Sequence, residues 1–159
     1  MIKDISDSFS KKIYECNIHI EKIKDAKDYL KNSMPLTIDK YLKLDKIDSS
    51  FIDQLNFRFS KLQDIMGESI FNGILILSKE EVKKRTFLDK LNRLEELEIV
   101  DKNEWLNLRE VRNEIAHEYS FNQEEVVDSI NLIYEKSDTI IKIYQKVCNF
   151  IELKSLIKK

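Results

Sequence analysis

Two glycines and one proline serve a chain of 159 residues, where the two types together usually make up roughly 12% of a protein. Gly67, Gly73 and Pro35 are the whole supply of backbone punctuation. Hairpin turns, bulges and phosphate-cradling loops draw on the positive φ open to glycine and on the fixed φ of proline. A chain this poor in both turns rarely, which excludes sandwiches, barrels and doubly wound sheets and leaves helices. Charged residues at 35% and apolar ones at 42% suit amphipathic helices around one core. The length is about that of one domain. No repeat, low-complexity run or composition shift divides it, so residues 1–159 are expected to fold as a single all-α domain.

The same sparseness removes several chemistries. No glycine-rich stretch supports a P-loop or a dinucleotide-binding fingerprint. Cys16 and Cys148 lie far apart in sequence, as do His19 and His117, so no zinc-ligand spacing is present. Neither a metal nor a cofactor is expected. The opening Met1-Ile2-Lys3-Asp4 is too polar for a secretory signal. The longest apolar run, Ile74 to Leu77, is far short of the roughly 20 residues of a membrane span. Two unpaired cysteines without an export signal read as reduced thiols of a cytoplasmic protein, with no membrane contact. Lys plus Arg number 27 against 29 Asp plus Glu, a net charge of −2. Such a balance excludes a generally basic nucleic-acid coat and leaves room for a local patch.

Apolar spacing predicts a first helix over 2–32, where Ile5, Phe9, Ile13, Cys16, Ile20, Ile23 and Leu30 form one stripe. Met34-Pro35-Leu36 ends it. A short helix or an irregular connection fills 37–47. Ser50-Phe51-Ile52-Asp53 has the form of a capping signal, which predicts a helix from about 49 to 77. Within it, Gly67 and Gly73 read as points of close helix–helix approach or, more sharply, as a kink that serves function. Ser78-Lys79-Glu80-Glu81 reads as a capping box opening a helix that runs to about 98. A further helix spans Glu104 to His117, capped by Asp101 or Asn103, and Asn122-Gln123-Glu124-Glu125 opens the last. Three long helices and two shorter ones predict an up-and-down bundle of four to five helices. Lys79, Lys83, Lys84, Arg85, Lys90 and Arg93 read as a solvated helix face or, more sharply, as an RNA-facing stripe. His19 reads as structural or exposed, and Trp105 as a core anchor. Arg58, Gln63 and Asp64 read as a buried polar network or an intersubunit contact.

One helical segment departs from core patterning. Arg109, Arg112, Asn113, Ala116 and His117 fall at i, i+3, i+4, i+7 and i+8, and so share a broad polar face. Such a face is either solvated or gathered at a cleft. Arg112 and His117 stand about 140° apart around an ideal helix. They act together only through the reach of arginine, a relaxed helix end, or a second copy across a two-fold axis.

Arg112 to Tyr119 reads R-x4-H-x-Y, with Asn113 directly after the arginine. This resembles the HEPN superfamily (higher eukaryotes and prokaryotes nucleotide-binding), and within it the HepT-like toxins of HEPN/MNT toxin–antitoxin pairs. Arg58 to Gly67, Phe87 to Leu94, and Glu104-Trp105-Leu106 are similar to other segments of one bacterial branch, so the resemblance covers about residues 50–135.

The resemblance implies a metal-independent endoribonuclease, a homodimer whose two motifs line one cleft, with Arg112 and His117 catalytic. It also implies a cognate partner, a minimal nucleotidyltransferase (MNT) antitoxin, that silences the toxin by transferring AMP to Tyr119. The residue chemistry fits independently. Imidazole titrates near neutrality and suits proton transfer at the 2′-hydroxyl or the 5′-oxygen. The arginine fork holds its charge and matches phosphate. One histidine per motif is too few for acid and base together, which gives a homodimer a mechanistic reason.

Asn113 reads as an orienting hydrogen-bond partner or as a local cap. Arg109, with weaker support, reads as a contact to RNA backbone phosphate. Tyr119 is open between stacking on a base, ordinary bundle packing, and modification. Two other functional readings stand beside the leading one. The first is a non-catalytic HEPN module acting as antitoxin or substrate-docking subunit of a nucleotidyltransferase. The second is a helical interaction protein that carries the motif by chance.

Overall fold

The computed structural model of the chain describes residues 2–115 and 121–154. The described residues are helical throughout their regular structure. The elements are α1 (Ile2–Leu30), α2 (Ile38–Leu42), α3 (Lys46–Ile65), a π turn (Met66–Ile70), α4 (Phe71–Leu77), α5 (Phe87–Glu96), α6 (Lys102–Glu114) and α7 (Gln123–Leu153). Because α3, the π turn and α4 run on as one rod, the described residues make three long helices, two shorter ones and the single turn-and-a-half of α2. None is long and apolar enough to cross a membrane.

The stripe read from the sequence of α1 is the buried one, with Phe9, Cys16, Ile20, Ile23 and Leu30 in the core and Ile5 and Ile13 half-buried. After a 3-10 turn over Lys31–Ser33, Met34 is extended (φ −97°, ψ 144°), as the ring of Pro35 demands of the residue before it. The turn that follows is pinned to α7. Leu36 N–H donates to Asn131 Oδ1 at 2.7 Å, and Asn131 Nδ2 donates to the Leu36 carbonyl at 2.9 Å.

Two helix starts differ from expectation. The α3 rod begins ahead of the Ser50 signal, because Asp45 and Asp48 form a reciprocal capping box. Ser50 Oγ donates instead to the Lys46 carbonyl at 2.8 Å, inside the helix. Ser78 opens no helix. It closes α4, its N–H donating to the Ile74 carbonyl at 2.9 Å. Lys79 then takes a left-handed conformation (φ 63°). Lys79 N–H donates to Ile76 O and Glu80 N–H to Leu75 O, both at 2.9 Å, the paired bonds of a Schellman stop. Residues 79–86 therefore connect, and α5 starts at a second capping box between Thr86 and Asp89. The basic cluster is split by this break. Lys83 and Lys84 sit exposed in the connection, while Arg93 Nε is held at 2.7 Å by Glu80. A second Schellman stop ends α5, with Glu98 at φ 60° and Ile99 N–H donating to the Leu94 carbonyl at 3.0 Å.

Asp101 caps α6 and Asn122 caps α7, as the sequence indicates. Helix α6 is described only to Glu114, so the expected extension to His117, and with it His117 and Tyr119 themselves, lies outside the described residues.

Cross-helix partners fix the directions. Along the α1–α3 seam, Gln54 Nε2 donates to the Lys22 carbonyl at 2.9 Å and Arg58 meets His19 at 3.1 Å, while Gly73 lies over Phe9. Numbers rise in one helix as they fall in the other, so the pair is antiparallel. The same ordering sets α7 antiparallel to α1. Tyr144 Oη donates to Ile13 O at 3.2 Å, and Lys27 reaches Asp138 at 3.2 Å and the Tyr134 ring at 4.0 Å.

Gly73 meets the expectation of close approach, since a Cβ there would stand 2.7 Å from Phe9 Cε2. Gly67 is less tight, at 3.4 Å from Trp105 Cζ2. Replacing Gly73 by alanine forces the Phe9 ring aside, an overpacking cost of about 1–3 kcal/mol, against which alanine regains about 1 kcal/mol of helix propensity. Urea unfolding of Gly73→Ala should show a net loss of about 1 kcal/mol. Lys79 and Glu98 hold left-handed conformations that cost an L-residue about 1 kcal/mol or more. Lys79→Gly and Glu98→Gly should each raise stability by about 1 kcal/mol in the same measurement.

Candidate functional site

Helix α6 presents two faces. Trp105, Leu108 and Val111 are buried, and their spacing of three turns one side of the helix into the core. Arg109, Arg112 and Asn113 fall on the flank of that apolar stripe, where α6 runs beside the wide π turn. The junction is set by aromatic packing. Trp105 stands edge-on to Phe71 at 4.7 Å and 63°, and Gly67 gives its ring room.

Between α3, the π turn and α6 opens a cleft of about 430 Å³. Its lining includes Gln63, Asp64 and Glu68 from one side and Arg109, Arg112 and Asn113 from the other. Three residues of the α6 motif thus come together in one concavity with two of the polar residues of α3.

Arg112 is held by Asp64 through a two-pronged pair, Nε to Oδ1 at 2.9 Å and Nη2 to Oδ2 at 3.0 Å. The two side chains are 40% and 35% exposed, so water reaches the pair and its main effect is geometric. The hydrogen bonds from Asp64 come first in raising the guanidinium pKa, with the charges of Asp64 and Glu68 adding to them against partial burial. Arg112 therefore stays cationic, and its plane is fixed with Nη1 outside the fork. The lining carries two arginines and two carboxylates, so its net charge is zero.

Arg109 is exposed, with its guanidinium carbon 4.7 Å above the Phe87 ring centroid, a cation–π placement. Asn113 is exposed. Phe87, at the head of the Phe87 to Leu94 segment, is the first residue of α5, and its place against Arg109 depends on where the α4–α5 connection ends. Asp64 was legible as a polar residue of α3, but nothing in the linear sequence assigns it to Arg112, 48 positions away.

The other polar positions separate from the cleft. Arg58 turns to α1, where Nη1 donates to His19 Nδ1 at 3.1 Å. Burial first, then the charges of Arg58 and Lys61, lower the His19 pKa, so this imidazole stays neutral with Nδ1 accepting. Burial and the neighbouring Cys148 push the Cys16 thiol up to about 12, and burial raises that of Cys148, so neither is a ready nucleophile. Among the described residues no group of three or more His, Cys, Asp or Glu is placed to hold a metal ion.

Removing Asp64 tests its hold on Arg112. Asp64→Ala should lower unfolding free energy by only about 1 kcal/mol, given the exposure of the pair. The deficit should narrow in 1 M salt, where such charges are screened to about 3 Å.

No family model, characterised protein or solved structure matches this chain, so the chemistry of the cleft is read from its own residues.

Proposed function

We propose that the protein is a metal-independent endoribonuclease of the HEPN type, working as a two-fold dimer with Arg112 and His117 as its catalytic pair. The observation that carries this reading is the Asp64-oriented Arg112 in a cleft shared with Arg109 and Asn113. A permanently charged fork of that kind, with Nη1 donors to spare, suits a phosphodiester whose negative charge grows in the transition state.

In the reaction, the ribose 2′-oxygen loses its proton to a base and bonds to phosphorus. The P–O5′ bond breaks, and the leaving 5′-oxygen takes a proton from an acid. The products are a 2′,3′-cyclic phosphate and a 5′-hydroxyl. His117, five positions beyond Arg112, is assigned the proton transfers, with the histidine of a second copy taking the complementary role. Asn113 orients and Arg109 binds backbone phosphate. Tyr119 is assigned as the acceptor of AMP from a nucleotidyltransferase antitoxin. The added phosphodiester would occupy the same cationic groups and oppose RNA binding.

The equal number of arginines and carboxylates in the cleft favours a second reading, a non-catalytic docking or antitoxin subunit of a nucleotidyltransferase. Purified protein incubated with RNA separates the two. The ribonuclease reading expects cleavage that persists in EDTA, products ending in 2′,3′-cyclic phosphate, and loss of at least about 100-fold in rate for Arg112→Ala and for His117→Ala, with the helical circular-dichroism signal retained and a dimer by light scattering. Cleavage abolished by EDTA and restored by magnesium defeats the metal-independent mechanism. No cleavage of any RNA leaves the docking subunit as the better account.

A further inference from the structure

Two aromatic rings stand on either side of Arg112, each with a cation against it. On one side is Phe87, in the lining of the cleft, with the Arg109 guanidinium 4.7 Å over its centroid. On the other is Phe57 of α3, to which the ribonuclease reading gives no role. Phe57 is 52% exposed, with Lys61 Nζ 5.6 Å and the Arg58 guanidinium carbon 5.4 Å from its ring centroid. Neither Lys61 nor Arg109 is in an ion pair among the described residues. A lone exposed ring is ordinary on a protein surface. What sets Phe57 apart is its alignment with Arg112. Seven residues of α-helix return to within about 20° of the same direction. Phe57 therefore shares the face of α3 on which Asp64 holds Arg112, and Lys61 falls between the two. Trp105 lies by Phe71 and Gly67 while Arg112 lies by Asp64, so α6 runs antiparallel to α3. Arg109, one turn back along α6, is thus on the far side of Arg112 from Lys61 and Phe57.

We propose that a single strand of RNA lies along this line, with one phosphate at Arg112, unpaired bases stacked at Phe87–Arg109 and on Phe57, and a second phosphate at Lys61. The proposal rests on the ribonuclease reading for its substrate and adds how the strand is held on either side of the cleavage point. The charge balance favours this occupant. The cleft lining carries no net charge, so a polyanion has to be held in part by cations outside it, and Lys61 is one. Aromatic faces set beside separated cations match a strand whose bases are free to stack and whose charges recur along its backbone. A duplex keeps its bases paired and stacked and offers Phe57 no face. The rise from Phe57 to Asp64 is about 10 Å, which a strand at about 3.4 Å per nucleotide crosses in about three nucleotides.

The probe is a fluorescein-labelled 2′-O-methyl strand of about eight nucleotides, which lacks the attacking hydroxyl and survives binding. Anisotropy reads its affinity for the full-length protein. Phe57→Ala should weaken binding at least about fivefold at every salt concentration, with the salt slope unchanged, and Phe57→Trp should restore it. Lys61→Ala should instead flatten the slope of log affinity against log salt by about 0.7. The same strand annealed to its complement should bind at least about tenfold more weakly. Equal affinity of the wild type and a folded Phe57→Ala would overturn the proposal. So would no binding by the wild type, an unchanged slope in Lys61→Ala, or a duplex bound as tightly as the single strand. A dimer that Phe57→Ala turns into a monomer would place the ring at a subunit contact and likewise overturn it. Strand binding that depends on Phe57, without cleavage of any RNA, would keep the binding line and defeat the ribonuclease reading. RNA cleavage by the wild type, with normal strand binding by Phe57→Ala, would keep the ribonuclease and defeat the binding line.

Discussion

The seating of Trp105 on the π turn is the contact on which the geometry of the cleft depends. Its ring meets Phe71 edge-on and lies at van der Waals distance from the space above Gly67. This fixes the height of α6 against the α3–α4 rod. Once Trp105 is placed, Leu108 and Val111 follow into the core at helical spacing, and Arg112 comes opposite Asp64. The wide turn itself, in which Phe71 N–H reaches back to the Met66 carbonyl, adds a residue to the helix and shifts the faces on either side of it. An uninterrupted α-helix through 66–70 would present a different set of side chains to α6. Such single π turns are found often at functional positions for this reason.

The pairing of Arg112 with Asp64 is better understood as orientation than as stabilisation. Both side chains are more than a third exposed, and ion pairs of that kind contribute little to folding. What the pair does is hold a planar cation in one attitude, with Nε and Nη2 engaged on the carboxylate and Nη1 outside the fork. Its charge is largely offset locally, and the lining as a whole carries as many carboxylates as arginines. The cleft therefore has little long-range field with which to draw in a polyanion. A cleft of that kind has only shape, stacking and short-range hydrogen bonds with which to hold a ligand, in a chain whose net charge is −2.

Much of the helix inventory was legible because its signals are local. The buried stripe of α1, the caps at Asp101 and Asn122, and the close approach at Gly73 follow from spacing, side-chain chemistry and the absence of a Cβ. The failures came where two local signals competed. Ser78 through Glu81 has the pattern of a helix start, yet Ser78 closes the helix before it, and Lys79 accepts a left-handed φ usually left to glycine. With only two glycines in the chain, both inside the α3–α4 rod, the helix ends had to be made from ordinary residues, and the usual punctuation was missing just where it was most needed. Thr86 and Asp89 carried the true start of α5, a signal as strong as the one at Ser78.

The sequence by itself determined an all-helical chain with no stretch fit for a membrane, and it set apart the polar face of α6 at Arg109, Arg112 and Asn113. Periodicity and capping suffice for that, because both act within a few residues along one helix. The partner of Arg112, the cleft and the run of surface from Arg112 to Phe57 were decided only by tertiary structure. They join α3 to α6 across tens of residues. Which polar residue meets which there depends on the height and rotation of one helix against another, quantities set by Trp105, Phe71 and the room left at Gly67 and by no spacing in the linear chain.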